Sequence, residues 1–111
     1  MIGINVYKSI VIMHKALILL KEIPKGKVTS YKELAKACKT SPRAIGSIMR
    51  SNKHPDEYPC YKVVSASGGL GGYCGAVSGK HIQKKINLLK KDGIEIKNGK
   101  IDKKYLHKFS A

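Results

Sequence analysis

Two helix-start signals standing close together constrain this chain more than anything else in it. Ser30 lies three residues before Glu33, the spacing of a capping box, in which the serine hydroxyl accepts from a backbone N–H that the helix start leaves unpaired. Ser41 follows as a second N-cap, with Pro42 behind it at the first helical position, where the missing N–H of proline is no loss. Between the two signals there is room for one helix about ten residues long, with Leu34, Ala35 and Cys38 facing inward, and a turn at Lys39 and Thr40. The second signal opens another short helix that buries Ile45, Ile48 and Met49. Two short helices joined by so brief a turn predict a helix-turn-helix, although a plain helical hairpin in a small core would show the same pattern.

Composition narrows that choice without closing it. The 111 residues hold 22 Lys plus Arg against 7 Asp plus Glu, a formal +15, and such an imbalance points to a polyanionic partner. The length suits one compact domain over residues 1–111, which at this size buries roughly 65% of the surface its unfolded chain exposes, and no repeat or linker divides it. The longest unbroken apolar run, Ala16 to Leu20, is far short of the ~20 residues of a membrane span. Lys8, His14 and Lys15 interrupt the N-terminal apolar stretch, and no small-residue cleavage site follows it. Neither a signal peptide nor a membrane anchor is expected, and a cytoplasmic place is. Cys38, Cys60 and Cys74 are odd in number and widely spaced, so neither a disulfide framework nor a zinc site is suggested.

Around the helix pair, Val6, Ile10, Met13, Leu17 and Leu20 recur at helical spacing and predict a first helix over residues 4–22, stopped by Ile23-Pro24. Tyr61 to Val64 reads as a short strand, and Ser65 to Gly79 as a loop holding six of the 11 glycines. Ile82, Ile86 and Leu89 predict a last helix closed by Gly93, and Ile94 to Ile101 a hairpin around Asn98-Gly99.

Pro59-Cys60 places one thiol between a rigid proline and a run of valines, just ahead of the glycine-rich loop. A lone cysteine in apolar company is usually an inert core residue. Its setting argues otherwise. Ordered blocks run along the chain: Ile23-Pro24-Lys25-Gly26-Lys27-Val28, Ser30-Tyr31-Lys32-Glu33-Leu34-Ala35, Arg43-Ala44-Ile45-Gly46, Met49-Arg50-Ser51-Asn52, Pro59-Cys60 with Val63-Val64, Gly71-Gly72-Tyr73, and Leu88-Leu89-Lys90-Lys91-Asp92-Gly93. In their order and spacing, over about residues 5 to 101, these blocks strongly resemble the DNA-binding, active-site domain of the O(6)-alkylguanine-DNA alkyltransferases, the methylated-DNA-protein-cysteine methyltransferases. The expected fold is therefore α/β: a small, mostly helical, winged-helix-like domain with a helix-turn-helix, a short strand near the cysteine and a C-terminal hairpin.

The resemblance implies direct repair, in which the alkyl group of O(6)-alkylguanine, or of O(4)-alkylthymine, passes once and irreversibly to Cys60, with no cofactor and no metal. The partner is double-stranded DNA, entered through the minor groove by a monomer, with the damaged nucleotide flipped out because the stack blocks an in-line approach to the alkyl carbon. Arg43 would fill the gap as a finger, Tyr31 would crowd the adjacent phosphate, and Gly46 would let the second helix approach the backbone. Tyr73 would donate to the purine N3, the Cys74 amide to the oxygen being released, and the carbonyls of Cys60 and Val63 would accept from the exocyclic amine. Met49 and Pro55 would line the pocket, Asn52 would tie the helix-turn-helix to the cysteine loop, and the sulfur of Cys60 would lie open at the floor of a purine-sized cavity.

This chain departs from the family in three respects. The family usually follows its cysteine with a histidine oriented by a glutamate; here those positions hold Tyr61 and Asp92. A thiol of pKa ~8.5 is only about 3% thiolate at pH 7, and a phenol is a weaker base than imidazole, so a different activation is expected, with the charge of Lys62 as one aid. Many members also carry an N-terminal domain; at its length this chain is expected to be the active-site half alone. The minimal size is shared with alkyltransferase-like proteins, lesion sensors that replace the cysteine, and Cys60 argues for transfer over sensing. Cys74 falls where small polar residues are usual and is expected to matter through its backbone.

Overall fold

The structure, a computed structural model, describes residues 3–72 and 79–109, with side chains in the first helix described from Ile10 onward. Helix α1 covers Gly3–Leu20 and ends in a tightened turn in which Lys21, Glu22 and Ile23 each donate three residues back, to Ile18, Leu19 and Leu20. The predicted inward stripe is partly wrong. Ala16 and Leu20 are fully buried, but Ile10 and Met13, expected inside, are 59% and 41% exposed. The helix is apolar almost all round, so periodicity does not single out a face; contact with the next two helices does.

Strand β1, Thr29–Ser30, leads directly into α2, Tyr31–Cys38, which is shorter than the sequence suggested. The capping box is present: the Ser30 hydroxyl accepts from the Glu33 amide at 3.0 Å. Lys39 closes the helix in the left-handed region at φ 55°, and α3, Pro42–Arg50, opens with the Ser41 hydroxyl accepting from the Ala44 amide at 3.1 Å. Helices α2 and α3 pack against each other and against α1, burying Leu34, Ala35, Cys38, Ile45, Ile48 and Met49 as predicted. This is the helix-turn-helix.

The segment read as one strand from Tyr61 to Val64 divides into a 3₁₀ turn over Cys60–Lys62 and a strand β2 of only Val63–Val64. Strand β2 pairs in parallel with β1, Thr29 opposite Val63 and Ser30 opposite Val64. That pairing sets the cysteine turn beside the N-terminus of α2. Helix α4 covers Lys80–Lys91 and packs on the cysteine turn. The hairpin follows as β3, Ile96–Lys97, and β4, Lys100–Ile101, around Asn98 and Gly99, both at positive φ.

Val28, Val64, Leu89, Ile94 and Ile101 form a smaller core under the hairpin, while Cys60, Val63 and Met49 belong to the larger one under the helices. Among the described residues, no helix is long and apolar enough to cross a membrane.

Candidate active site and DNA-facing groove

Pro59 leads into a turn in which the Cys60 amide donates to the Tyr58 carbonyl at 2.7 Å and the Val63 amide donates back to the Cys60 carbonyl. Asn52, just past α3, holds the approach to this turn. Its side-chain amide donates to the Tyr58 carbonyl at 2.9 Å, and its side-chain oxygen accepts from the His54 amide at 3.1 Å. Helix-turn-helix and cysteine turn are thereby tied together through main chain. Cys60, expected to stand open at a cavity floor, is a buried residue only 6% exposed, packed in the same cluster as Met49 and Val63. Tyr73 and Cys74, expected to complete that cavity, lie outside the described residues. Pro55 lines an open depression of about 450 Å³ together with Pro59 and Tyr61.

The charges around the turn are arranged differently from the expectation. Lys62 is buried, and its ammonium lies 3.0 Å from the Asp92 carboxylate while donating to the carbonyls of Pro24 at 3.0 Å and Ile23 at 3.5 Å. It latches the turn to the loop after α1. Asp92 caps the C-terminus of α4 and also accepts from the Gly26 amide at 3.1 Å. Burial, and secondarily the negative charge of Asp92, push the Tyr61 phenol above its ordinary value. Tyr61 is therefore a neutral hydroxyl at physiological pH and has no capacity to take the thiol proton.

Lys85 was not picked out from sequence. It lies on the inward side of α4, three residues past Ile82 and four before Leu89, and is fully buried. Its ammonium donates to three carbonyls, those of Val63 at 2.7 Å, Leu70 at 2.5 Å and Gly72 at 2.9 Å, which uses all three of its protons. Burial lowers its pKa to about 8, against the opposing pull of Cys60. The Val63 carbonyl, assigned to accept from guanine, is thus already engaged on one of its two lone pairs.

On the outer side of the helix-turn-helix, Tyr31, Lys32, Lys36, Arg43 and Gly46 line one open depression of about 810 Å³, whose far wall is Ser65 and Ala66. Arg43 is exposed, and a Cβ built on Gly46 would have nothing within 4 Å. No neighbour inside the protein requires glycine there, although glycine in a helix interior costs about 1 kcal/mol relative to alanine. Tyr31 is half-buried: a Cβ on Gly71 would come 2.9 Å from its ring. Burial, then the nearby Cys60, raise the pKa of its phenol, against the backbone of Gly72. Tyr31 therefore belongs both to the groove and to the surroundings of the thiol.

The family description "6-O-methylguanine DNA methyltransferase, DNA binding domain" matches residues 12–94, most of the chain. The chain belongs to this family. Among curated members of the O6-methylguanine methyltransferase family and its relatives, a bifunctional methyltransferase/endonuclease of Picrophilus torridus is 44% identical over 88 residues, covering 78% of this chain and 28% of its own length. A methylated-DNA–protein-cysteine methyltransferase of Pyrobaculum aerophilum is 46% identical over 66 residues, covering 60% of this chain and 45% of its own. The chain thus spans between about a quarter and a half of the curated relatives it matches.

Among solved structures, the O6-methylguanine-DNA methyltransferase of Pyrococcus kodakaraensis superposes with a TM-score of 0.64 at 36% identity, over 74% of this chain and 46% of that one. S. pombe Atl1, in complex with damaged DNA containing O6-carboxymethylguanine, superposes with a TM-score of 0.77 over 88% of this chain and 95% of that one. At 23% identity that second likeness speaks for the fold alone.

Proposed function

We propose that this chain is a single-turnover DNA-repair transferase, a single monomeric domain that carries both the DNA-binding surface and the alkyl-accepting cysteine. Its substrate is O6-alkylguanine in duplex DNA, bound through the minor groove and flipped out of the stack. The observation that carries this reading is the double membership of Tyr31. That side chain lines the groove with Arg43 and Gly46 and also packs against the cluster that holds Cys60, which supports a thiol lying behind the surface offered to DNA.

In the proposed step the Cys60 thiol gives its proton to water, and the thiolate sulfur forms a bond to the alkyl carbon. The bond from that carbon to the guanine oxygen breaks, its electron pair stays with the oxygen, and the purine takes up one proton. A thioether and an unmodified guanine result. Arg43 holds the vacated stack, Tyr31 crowds the neighbouring phosphate, and Gly46 admits the backbone. Tyr73, the amide of Cys74 and the carbonyls of Cys60 and Val63 orient the base, with Met49 and Pro55 at the pocket walls. Donors aimed at the leaving oxygen stabilise the charge that develops there. Asn52 fixes the turn, and Tyr61 with Asp92 positions rather than deprotonates. Affinity comes from phosphate neutralisation by a +15 chain and falls steeply with salt.

The test is mass spectrometry after incubation with a duplex oligonucleotide carrying O6-methylguanine. One methyl on the Cys60 peptide is expected, and Cys60→Ser should abolish transfer while binding persists. Tight binding by an unmodified wild-type protein would instead identify a lesion sensor, and transfer persisting in Cys60→Ser would move the acceptor to Cys74.

A further inference from the structure

Lys62, a cation two residues from the thiol in sequence, is committed to Asp92 and to two carbonyls. Tyr61 is a neutral phenol. Neither supplies what a thiol of ordinary pKa needs near pH 7, which leaves the source of activation to be found elsewhere in the site. Among the described residues Lys85 is the other buried cation, and no carboxylate among them shifts it or bonds to it. A buried ammonium without a counter-anion is costly, and its three carbonyl partners offset only part of that cost.

Those partners are informative. Val63 is the residue whose amide donates to the Cys60 carbonyl, so Lys85 and Cys60 are joined through the backbone of one residue. Leu70 and Gly72 come from the glycine loop, and Gly72 directly precedes Tyr73. One atom therefore fixes the strand that leaves the cysteine turn and the loop that leads into the proposed base-binding residues.

We propose that Lys85 is a positioning residue for alkyl transfer: its buried ammonium fastens strand β2 and the glycine loop at one point and supplies the positive field that favours the Cys60 thiolate. The thiolate is in turn the anion that the buried ammonium otherwise lacks, so the two groups titrate as a pair. Among the described residues, the other titratable groups around the pair are Tyr31 from α2, held neutral by burial, and Tyr61, Lys62 and Asp92, of which the last two neutralise each other. This inference rests on Cys60 being the reacting residue.

The experiment follows iodoacetamide modification of the Cys60 peptide by mass spectrometry from pH 5.5 to 9.5, alongside methyl transfer from O6-methylguanine DNA. In the wild type the thiol midpoint should lie below its ordinary ~8.5. In Lys85→Met it should rise by about one unit or more, with modification at pH 7 slowed about tenfold, and Lys85→Arg should restore part of that loss. A folded Lys85→Met protein with an unmoved midpoint overturns the proposal.

A second measurement leaves the lysine in place. Lys85 is titrated by NMR of the ¹³C-labelled lysine side chains in the wild type and in Cys60→Ser. Linkage requires the serine variant to lower the Lys85 midpoint by as much as Lys85 lowers that of the thiol. An unchanged lysine midpoint overturns the proposal even if Lys85→Met does not fold. Should the wild type take up no methyl from DNA while both midpoints move as stated, the transferase reading fails and the coupling stands.

Discussion

The ammonium of Lys62 lies 3.0 Å from the carboxylate of Asp92, with the two side chains 6% and 10% exposed. The pair joins the cysteine turn to the end of α4, and Asp92 extends the link to the Gly26 amide. Removing one member of a buried pair strands the other charge, which costs about 3–5 kcal/mol. Asp92→Ala should therefore lower the Tm by more than about 10 °C. Combining Lys62→Met with Asp92→Leu removes both charges and should recover much of the loss. Thermal unfolding of the two variants checks this. A single variant as stable as the wild type would show that the carbonyls of Ile23 and Pro24 suffice for Lys62.

Gly46 offers a prediction in which stability and binding move in opposite directions. Its Cβ position is open, so alanine fits and should stabilise α3 by about 1 kcal/mol. If the groove takes the DNA backbone, the added methyl stands where the backbone must come. Gly46→Ala should raise the Tm by about 4 °C or more and weaken duplex binding severalfold. Fluorescence anisotropy at fixed salt reads the second effect. A more stable variant with unchanged affinity would mean that the helix does not come close to DNA at this point.

The helix-turn-helix was legible because its determinants are local. Ser30 and Glu33, like Ser41 and Ala44, meet within one helical turn, so spacing alone announces them. The orientation of α1 was not legible, because Ile10, Val11, Met13 and Ile18 are as apolar as the residues that do turn inward. The short strand after the cysteine was recognised, but its partner was not. Thr29 and Ser30 are far away in sequence, and parallel pairing leaves no local signature. Of the site, the turn and the groove followed from the resemblance, whereas Lys85 is one cation among 22 and carries no sign of burial beyond its place between Ile82 and Leu89. The pairing of Lys62 with Asp92 depends on tertiary contact between the cysteine turn and the end of α4, which spacing does not encode.

Gly71 stands at φ +70°, and a Cβ there would come within 2.9 Å of Cε2 and 3.1 Å of the hydroxyl oxygen of Tyr31. Gly71→Ala therefore combines a left-handed backbone cost of about 1–2 kcal/mol with displacement of the ring. Tyr31→Phe keeps the ring carbon in the way and should not relieve the strain, while Tyr31→Ala should leave only the backbone cost. A double-mutant cycle on urea unfolding separates the two contributions. Full additivity of Gly71→Ala with Tyr31→Ala would show that the ring and the glycine do not compete for space.

Tyr61 is expected to leave the pH dependence of the proposed reaction unmarked near neutrality. Burial and the charge of Asp92 raise its phenol above the ordinary value of 10, so the protonated form is favoured in the fold, and Tyr61 does not ionise between pH 6 and 9. Over that range the transfer rate should carry no imprint of Tyr61, and any stability that its neutral form contributes is lost only as pH rises past 10. Tyr61→His places a base of ordinary pKa ~6.5 at the same position, and the nearby carboxylate should lift that value. Single-turnover methyl transfer measured from pH 5.5 to 9 should then be faster near neutrality than in the wild type. It should also show a new rise with pH as the imidazole loses its proton. A variant matching the wild type in both rate and profile would show that no proton at this position limits the thiol, and that activation comes from elsewhere in the site.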